Sequence, residues 1–153
     1  MLSIFCVLTL SGCHAALGAG DTQKDLQRLQ QAEIYSADGN LLRTITDEDI
    51  LKQFNQIHWA DLSSSTQADG MGTEDKSLSV QCTIILYKTP AALLHDESLE
   101  KYLELTVYEK SNIIKEQIAP ENVKAIPVSE ELLTFYVTVS DEEKELLLSL
   151  AEV

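Results

Sequence analysis

The sequence has few basic residues compared with acidic ones, and this shortage excludes several kinds of partner. It holds 11 lysines and arginines against 25 aspartates and glutamates, so its formal net charge is −14 at pH 7. Nucleic acids and anionic lipid surfaces attract basic proteins, and a chain this acidic is a poor partner for either. We therefore expect no nucleic-acid partner, and we attribute the acidity to solubility near a crowded surface.

The chain also lacks the motifs that accompany common enzyme chemistries. It has no GxSxG, HExxH or CxxC segment, no glycine-rich phosphate loop and no EF-hand loop. The three histidines are His14, His58 and His95, and no nucleophile accompanies them at a useful spacing. The acidic stretch 69–75 matches no calcium-binding loop. We therefore predict that the protein is not an enzyme and uses no cofactor or metal.

Cysteine is scarce, and the three cysteines stand in different settings. Cys6 and Cys13 lie in the apolar N-terminal segment, whereas Cys82 lies within an alternating, strand-like segment. Cys82 falls on the apolar side of that alternation and has no cationic neighbour in sequence, so we expect a buried, unreactive thiol. With one cysteine beyond the N-terminal segment, no internal disulfide is expected.

The N-terminal segment 1–13, MLSIFCVLTLSGC, carries no charged side chain and ends in a specific motif. Its apolar run suits the central part of a secretory signal peptide and is too short to span a membrane comfortably. Leu10, Ser11, Gly12 and Cys13 match the lipobox of bacterial lipoprotein signal peptides at all four positions. The resemblance implies that the chain is cut before Cys13 and that its thiol receives a diacylglyceryl group.

An uncleaved membrane anchor is the alternative interpretation of this segment. The apolar run would then continue through 15–19, but His14 lies at its centre and makes the anchor the weaker interpretation. Met1-Leu2-Ser3 departs from the usual pattern because it lacks the Lys or Arg that opens most signal peptides. Both interpretations place the rest of the chain outside the cytoplasmic membrane.

Composition divides the chain into three parts. Residues 1–12 are the signal peptide of the lipobox interpretation. Residues 13–31 hold the lipidated cysteine, a flexible tether and a spacer helix capped by Thr22. Residues 32–153 form a single domain, in which 60–76 is a long polar surface loop.

Alternation of apolar and polar residues predicts the strands of that domain. Two β-favouring runs, 32–37 and 41–46, flank an Asp38-Gly39 step that is typical of a hairpin turn. Further alternating segments follow around Cys82, Leu105 and Val137. We predict an α+β fold, with an antiparallel sheet of about five or six strands and two or three helices packed on one face.

Two strand-to-helix joints share one sequence pattern. Thr46 and Ser140 are each followed by three acidic residues and an amphipathic stretch. We therefore predict both as N-caps, with a carboxylate three residues later, and we expect the first helix to end near Trp59. The second helix should bury a stripe of three leucines, Leu146, Leu147 and Leu150.

The best candidates for a binding site are aromatic. On the strand alternation, four tyrosines point away from the Leu/Val face: Tyr87, Tyr102, Tyr108 and Tyr136. A mildly polar sheet face with exposed tyrosines suits protein recognition, although cross-strand pairing on a solvated face explains the pattern as well. Trp59 is a further candidate, either as a cap on the core or at the edge of a groove.

In the order of these features, the chain resembles small lipoproteins of the Gram-positive cell envelope. The lipobox is specific, whereas the remaining likeness, over about residues 32–151, is one of pattern and implies no activity. The resemblance implies a protein held at the extracytoplasmic face of the cell membrane by the lipid on Cys13. We predict a binding module that engages an envelope protein or ligand through the tyrosine-bearing face or the 60–76 loop.

Two alternatives remain open for the function. An envelope hydrolase would need His58 or His95 to meet carboxylates that are distant in sequence. A small-ligand carrier would need an apolar cavity.

Overall fold

The computed structural model describes residues 28–57, 77–90, 98–123 and 129–151. Its centre is an open sheet of six antiparallel strands in the order β2-β1-β3-β4-β5-β6. The strands are β1 (Leu29–Ser36), β2 (Leu41–Ile45), β3 (Val80–Lys88), β4 (Glu100–Tyr108), β5 (Ile113–Ile118) and β6 (Thr134–Thr138). The predicted antiparallel sheet with accompanying helices is confirmed.

A tight hairpin joins β1 to β2, as the Asp38-Gly39 step predicts. Gly39 has φ 78°, a conformation that costs glycine little because it has no Cβ. Ser36 closes the turn: its N–H donates to the carbonyl of Asn40, and its own carbonyl accepts from the N–H of Gly39, both at 2.9 Å. The turn therefore fixes the register of the first two strands.

The first helix is short and has a different N-cap from the one predicted. Helix α1 (Glu48–Leu51) continues as a 3-10 helix, Lys52–Gln56. The prediction of Thr46 as N-cap is wrong: Asp47 is the N-cap, and its carboxylate accepts from the backbone N–H groups of Asp49 and Ile50. An aspartate at that position offers a charged acceptor to the helix N-terminus, which a threonine one residue earlier cannot match.

The C-terminal helix α2 (Asp141–Ala151) begins as predicted. The N–H of Ser140 donates to Glu143 Oε2 at 2.8 Å, and the N–H of Glu143 donates to Ser140 Oγ at 3.2 Å, which is a complete capping box. Leu147 and Leu150 are buried, and Leu146 is partly buried against the same core. Two further 3-10 turns, Pro120–Asn122 and Glu130–Leu133, precede β6.

The buried core follows one set of in-register residues across the sheet. Ile34, Ile84 and Leu105 are directly paired across β1, β3 and β4, and each is fully buried. Cys82 and Leu86 lie on the same side of β3 and are buried too, as the alternation predicts. We call this side of the sheet the apolar face.

Two β-bulges shift the register between β3 and β4, and they overturn part of the prediction. Leu86 pairs with Leu103 but the next residue, Tyr87, pairs with Lys101, so Tyr102 is the extra residue of a bulge. The expectation that Tyr102 and Tyr108 belong to an exposed surface is wrong. Their side chains are 5% and 6% exposed, and Tyr102 belongs to the core cluster.

Tyr108 is buried next to the second bulge. Cys82 pairs with Val107, whereas Val80 pairs with Tyr108, so that Gln81 is the extra residue on β3. Because the extra residue lies on β3, the alternation along β4 is not interrupted at Tyr108, and its burial does not follow from the bulge.

Candidate functional site

The second side of the sheet, which we call the polar face, carries polar and aromatic side chains. One row of directly paired residues crosses all six strands: Thr44, Glu33, Ile85, Glu104, Gln117 and Thr134. A second row crosses five strands: Tyr35, Thr83, Thr106, Lys115 and Tyr136. None of these side chains is buried: Thr44 is exposed, and the others are partly exposed among the described residues.

Three side chains converge on Glu33 at the β1–β3 part of this face. Glu33 Oε2 accepts hydrogen bonds from the hydroxyl of Tyr35 at 2.7 Å and from the hydroxyl of Tyr87 at 2.8 Å. Glu33 Oε1 accepts from Gln31 Nε2 at 2.9 Å. We call Gln31, Glu33, Tyr35 and Tyr87 the Glu33 cluster.

The strand register explains how the two tyrosines reach one oxygen atom. Tyr35 lies two residues after Glu33 on β1, while Tyr87 on β3 lies opposite Gln31, two residues before Glu33. The two side chains therefore approach Glu33 from opposite directions along the strands. Both rings must lean toward Glu33 over the sheet instead of standing upright, and the shared oxygen holds them there.

The cluster raises the pKa of both phenols above the ordinary value for tyrosine. Partial burial and the hydrogen bond to Glu33 raise the pKa of Tyr87 from 10.0 to about 12. The hydrogen bond to Glu33 is also the main cause that raises the pKa of Tyr35. Both phenols are therefore hydrogen-bond donors to Glu33 at neutral pH.

An ion pair borders the Glu33 cluster on β4. Lys101 Nζ lies 2.6 Å from Glu104 Oε2, and Lys101 is directly opposite Tyr87. Glu104 is opposite Ile85, which is itself opposite Glu33. The negative charge of Glu104 is thus offset within the sheet, whereas the hydrogen-bond donors to Glu33 are all neutral.

The structure divides the four tyrosines predicted as a binding surface. Tyr87 and Tyr136 lie on the polar face, as the alternation predicts, and Tyr102 and Tyr108 are buried. Lys88 Nζ lies 4.5 Å from the centroid of the Tyr102 ring, so that ring packs against an internal cation. Tyr35 was not singled out from the sequence, although the alternation with buried Ile34 places it on the polar face.

Several residues predicted to matter lie outside the described part of the chain. They are Cys13, Trp59, the 60–76 loop, residues 22–27 of the Thr22-capped helix and the histidines His14, His58 and His95. The prediction of that helix is wrong for its C-terminal part, because Leu29 begins β1. Cys82 is described: it is buried, and burial raises the pKa of its thiol, in keeping with an unreactive cysteine.

The described residues contain neither a metal-binding cluster nor a membrane-spanning helix. No group of three or more His, Cys, Asp or Glu side chains is placed there to hold a metal ion. In the same ranges, no helix has the length and apolar character needed to cross a membrane.

No protein-family model matches the chain, and no curated protein or solved structure is significantly similar to it. Function is therefore inferred from the polar face and from the N-terminal motif.

Proposed function

We propose that the protein is a lipid-anchored binding module at the outer face of the cytoplasmic membrane of a Gram-positive cell, and that the polar face contacts its protein partner. The Glu33 cluster is the observation that carries this proposal. Tyr35 and Tyr87 are partly exposed and are held in fixed positions by one carboxylate. Tyrosines that are already ordered offer a large contact area at a low entropy cost, which is why binding surfaces use them.

The proposal includes an arrangement in which both helices cover the apolar face. Phe54, in the 3-10 turn after α1, and Leu147 of α2 belong to the same buried cluster as Ile84 of the sheet. Arg43 is paired with buried Ile34, and its Nη1 donates to the carbonyl of Leu150 at 3.1 Å. These contacts support helices on the apolar face and leave the polar face for a partner.

The membrane location is supported by the lipobox Leu10-Ser11-Gly12-Cys13. A thioether-linked lipid on Cys13 would hold the chain at the membrane without help from surface charge. An acidic protein needs such an anchor because anionic lipids repel it. Stable anchoring by lipid requires more than one acyl chain, and a diacylglyceryl group provides two.

Photo-crosslinking in intact cells that express the full chain tests the binding surface. A benzoyl-phenylalanine residue replaces either Thr44, which is exposed on the polar face directly opposite Glu33, or Glu145, which is exposed on α2. We expect a discrete crosslinked adduct from position 44 and none from position 145. An adduct from position 145 alone, equal adducts from both, or none from position 44 would contradict the proposal.

Metabolic labelling with palmitate tests the anchor. We expect the wild-type chain and Cys6→Ala to be labelled and Cys13→Ala to be unlabelled, because acylation requires the lipobox cysteine and Cys6 precedes the cleavage site. Membrane fractionation of the same samples should release only Cys13→Ala. Labelling that persists in Cys13→Ala would overturn the lipoprotein assignment.

A further inference from the structure

We infer that the Glu33 cluster is a binding site for a cationic side chain, an arginine or a lysine, presented by a basic segment of the protein partner. The inference rests on the proposed function, since it specifies what the polar face would recognise. It concerns one place on that face, where a carboxylate lies between two tyrosine rings at the β1–β3 pairing.

The carboxylate of Glu33 has room for one more donor. A carboxylate offers about four acceptor positions, and three of them are occupied here by Gln31 Nε2, the Tyr35 hydroxyl and the Tyr87 hydroxyl. These donors are neutral, so they orient the carboxylate without cancelling its charge. In the described part of the chain Glu33 forms no ion pair, unlike Glu104, which is paired with Lys101.

The two tyrosine rings add a second attraction for a cation. A cation within about 6 Å of a tyrosine ring centroid is attracted by the negative face of the ring. This protein already uses such a contact internally, where Lys88 Nζ lies 4.5 Å from the centroid of Tyr102. A guanidinium group above Glu33 could bond to the free carboxylate position while stacking on a ring, which favours arginine over lysine.

An apolar edge next to the cluster suits the aliphatic part of such a side chain. Leu41 of β2 is directly opposite Tyr35 and is 53% exposed. Leu42 beside it is also exposed. Long cationic side chains lay their methylene groups along surfaces of this kind and place the charge beyond them.

Charge complementarity selects the partner among the alternatives. With a net charge of −14, a second copy of this chain would bring like charge against like charge, and an anionic membrane or a nucleic acid would be repelled. A basic protein segment is attracted at long range and then finds an unneutralised carboxylate with aromatic and aliphatic neighbours.

Titration of the full chain with a designed peptide tests the inference. The probe is acetyl-Gly-Arg-Gly-Arg-Gly-amide, and its matched control replaces each arginine by citrulline, which keeps the shape but removes the charge. We expect the arginine peptide to bind and the citrulline peptide to bind at least about tenfold more weakly, because only the arginine peptide brings positive charge to the carboxylate of Glu33. Equal binding of the two peptides would overturn the site.

Variants separate this site from general attraction to an acidic protein. Glu33→Gln keeps the shape of the side chain, and we expect it to weaken binding of the arginine peptide about tenfold. Glu109→Gln removes the same charge from the exposed β4–β5 turn and should change the affinity by less than about twofold. Similar losses in the two variants would show attraction by net charge only and would overturn the inference.

A second pair of variants tests the rings. Tyr87→Leu should weaken binding about threefold, whereas Tyr136→Leu, at the β6 end of the same face, should leave it unchanged. Circular dichroism of each variant establishes that it is folded. Equal affinities of Tyr87→Leu and the wild type for the arginine peptide would show that the tyrosine ring does not contribute to binding.

The two proposals fail in different ways. A crosslinked partner at position 44 together with equal binding of arginine and citrulline peptides would retain the binding module and reject the cationic ligand. Arginine-specific binding that depends on Glu33, without any crosslinked partner in cells, would retain the site and reject the module.

Discussion

The hydroxyl groups of Tyr35 and Tyr87 meet on a single oxygen of Glu33, and this convergence orders three side chains at once. Each side chain alone would exchange between rotamers on a partly exposed sheet face. Because the rotamers are restricted before a partner arrives, binding loses less conformational entropy. At the residue scale, the hydrogen bonds of the cluster therefore prepare a surface more than they stabilise the fold.

The raised pKa of Tyr87 predicts a loss of stability at high pH. The folded protein holds the phenolic proton more tightly than the unfolded chain, so the contribution is fully present below pH 10.0 and is lost as the pH rises through about 12. Urea unfolding across this range should show the free energy of unfolding falling. The fall should be smaller for Tyr87→Phe, which has no phenolic proton to lose at this position.

Sequence alternation could predict only part of the candidate site. It places Tyr87 and Tyr136 on the polar face, and applied to β1 it would also have placed Tyr35 there. It fails for Tyr102 because that tyrosine is the extra residue of a bulge, where two residues oppose one and the period of two is interrupted. It also misses the burial of Tyr108, because alternation along a strand does not show what covers a side chain. The convergence on Glu33 depends on the register between β1 and β3, which no local pattern encodes.

At the scale of elements, the two strand-to-helix joints look alike in sequence but differ in structure. Ser140 and Glu143 form a reciprocal capping box at α2. At α1 the side chain of Asp47 alone caps the helix, and Thr46 lies one residue outside it. The acidic residues therefore have different roles at the two joints, as a cap in one and as part of a capping box in the other.

A pair of alanine variants tests the cap of α1. Asp47→Ala should lower the free energy of unfolding by about 1 kcal/mol, because it leaves the N–H groups of Asp49 and Ile50 without their acceptor. Thr46 is exposed and lies outside the helix, so Thr46→Ala should change the free energy of unfolding by no more than about 0.5 kcal/mol. Equal losses in urea unfolding would show that the cap is not confined to Asp47.

The periodicity of the first helical segment predicts burial better than it predicts helix type. Phe54 and Ile57 recur at helical spacing and are buried. Even so, α1 ends at Leu51, the chain continues as a 3-10 helix, and Ile57 is extended. Apolar spacing shows which side chains face the core, and both helix types can satisfy it over one or two turns.

At the scale of the whole molecule, the fold has one apolar and one polar sheet face. Four of the five strand pairings join strands that are consecutive in sequence, and short turns and alternating segments favour such pairings. The pairing of β1 with β3 is the exception, because the chain leaves β2 and returns on the other side of β1. The strand number and the antiparallel class were thus predictable, and the strand order was not.

The contribution of α2 to the core can be measured with two leucines. Leu147 is fully buried in the core cluster, so Leu147→Ala should lower the free energy of unfolding by about 2–5 kcal/mol through lost burial and a cavity. Leu132 is 70% exposed, and Leu132→Ala should change it by less than about 0.5 kcal/mol. Similar urea midpoints for the two variants would argue that α2 contributes little to the stability of the core.

The return of the chain from β2 to β3 also constrains the order in which the protein folds. When the chain emerges with its N-terminal end first, β1 and β2 are complete while the opposite edge of β1 has no partner, and an isolated two-stranded hairpin is only marginally stable. That edge stays open to other chains until β3 arrives and Ile34 pairs with Ile84. We expect the closing of this long loop to be the slowest pairing, because β3 to β6 pair between sequence neighbours. The pairing that brings Tyr87 to Glu33 is thus also the pairing that protects the exposed edge of β1 from other chains.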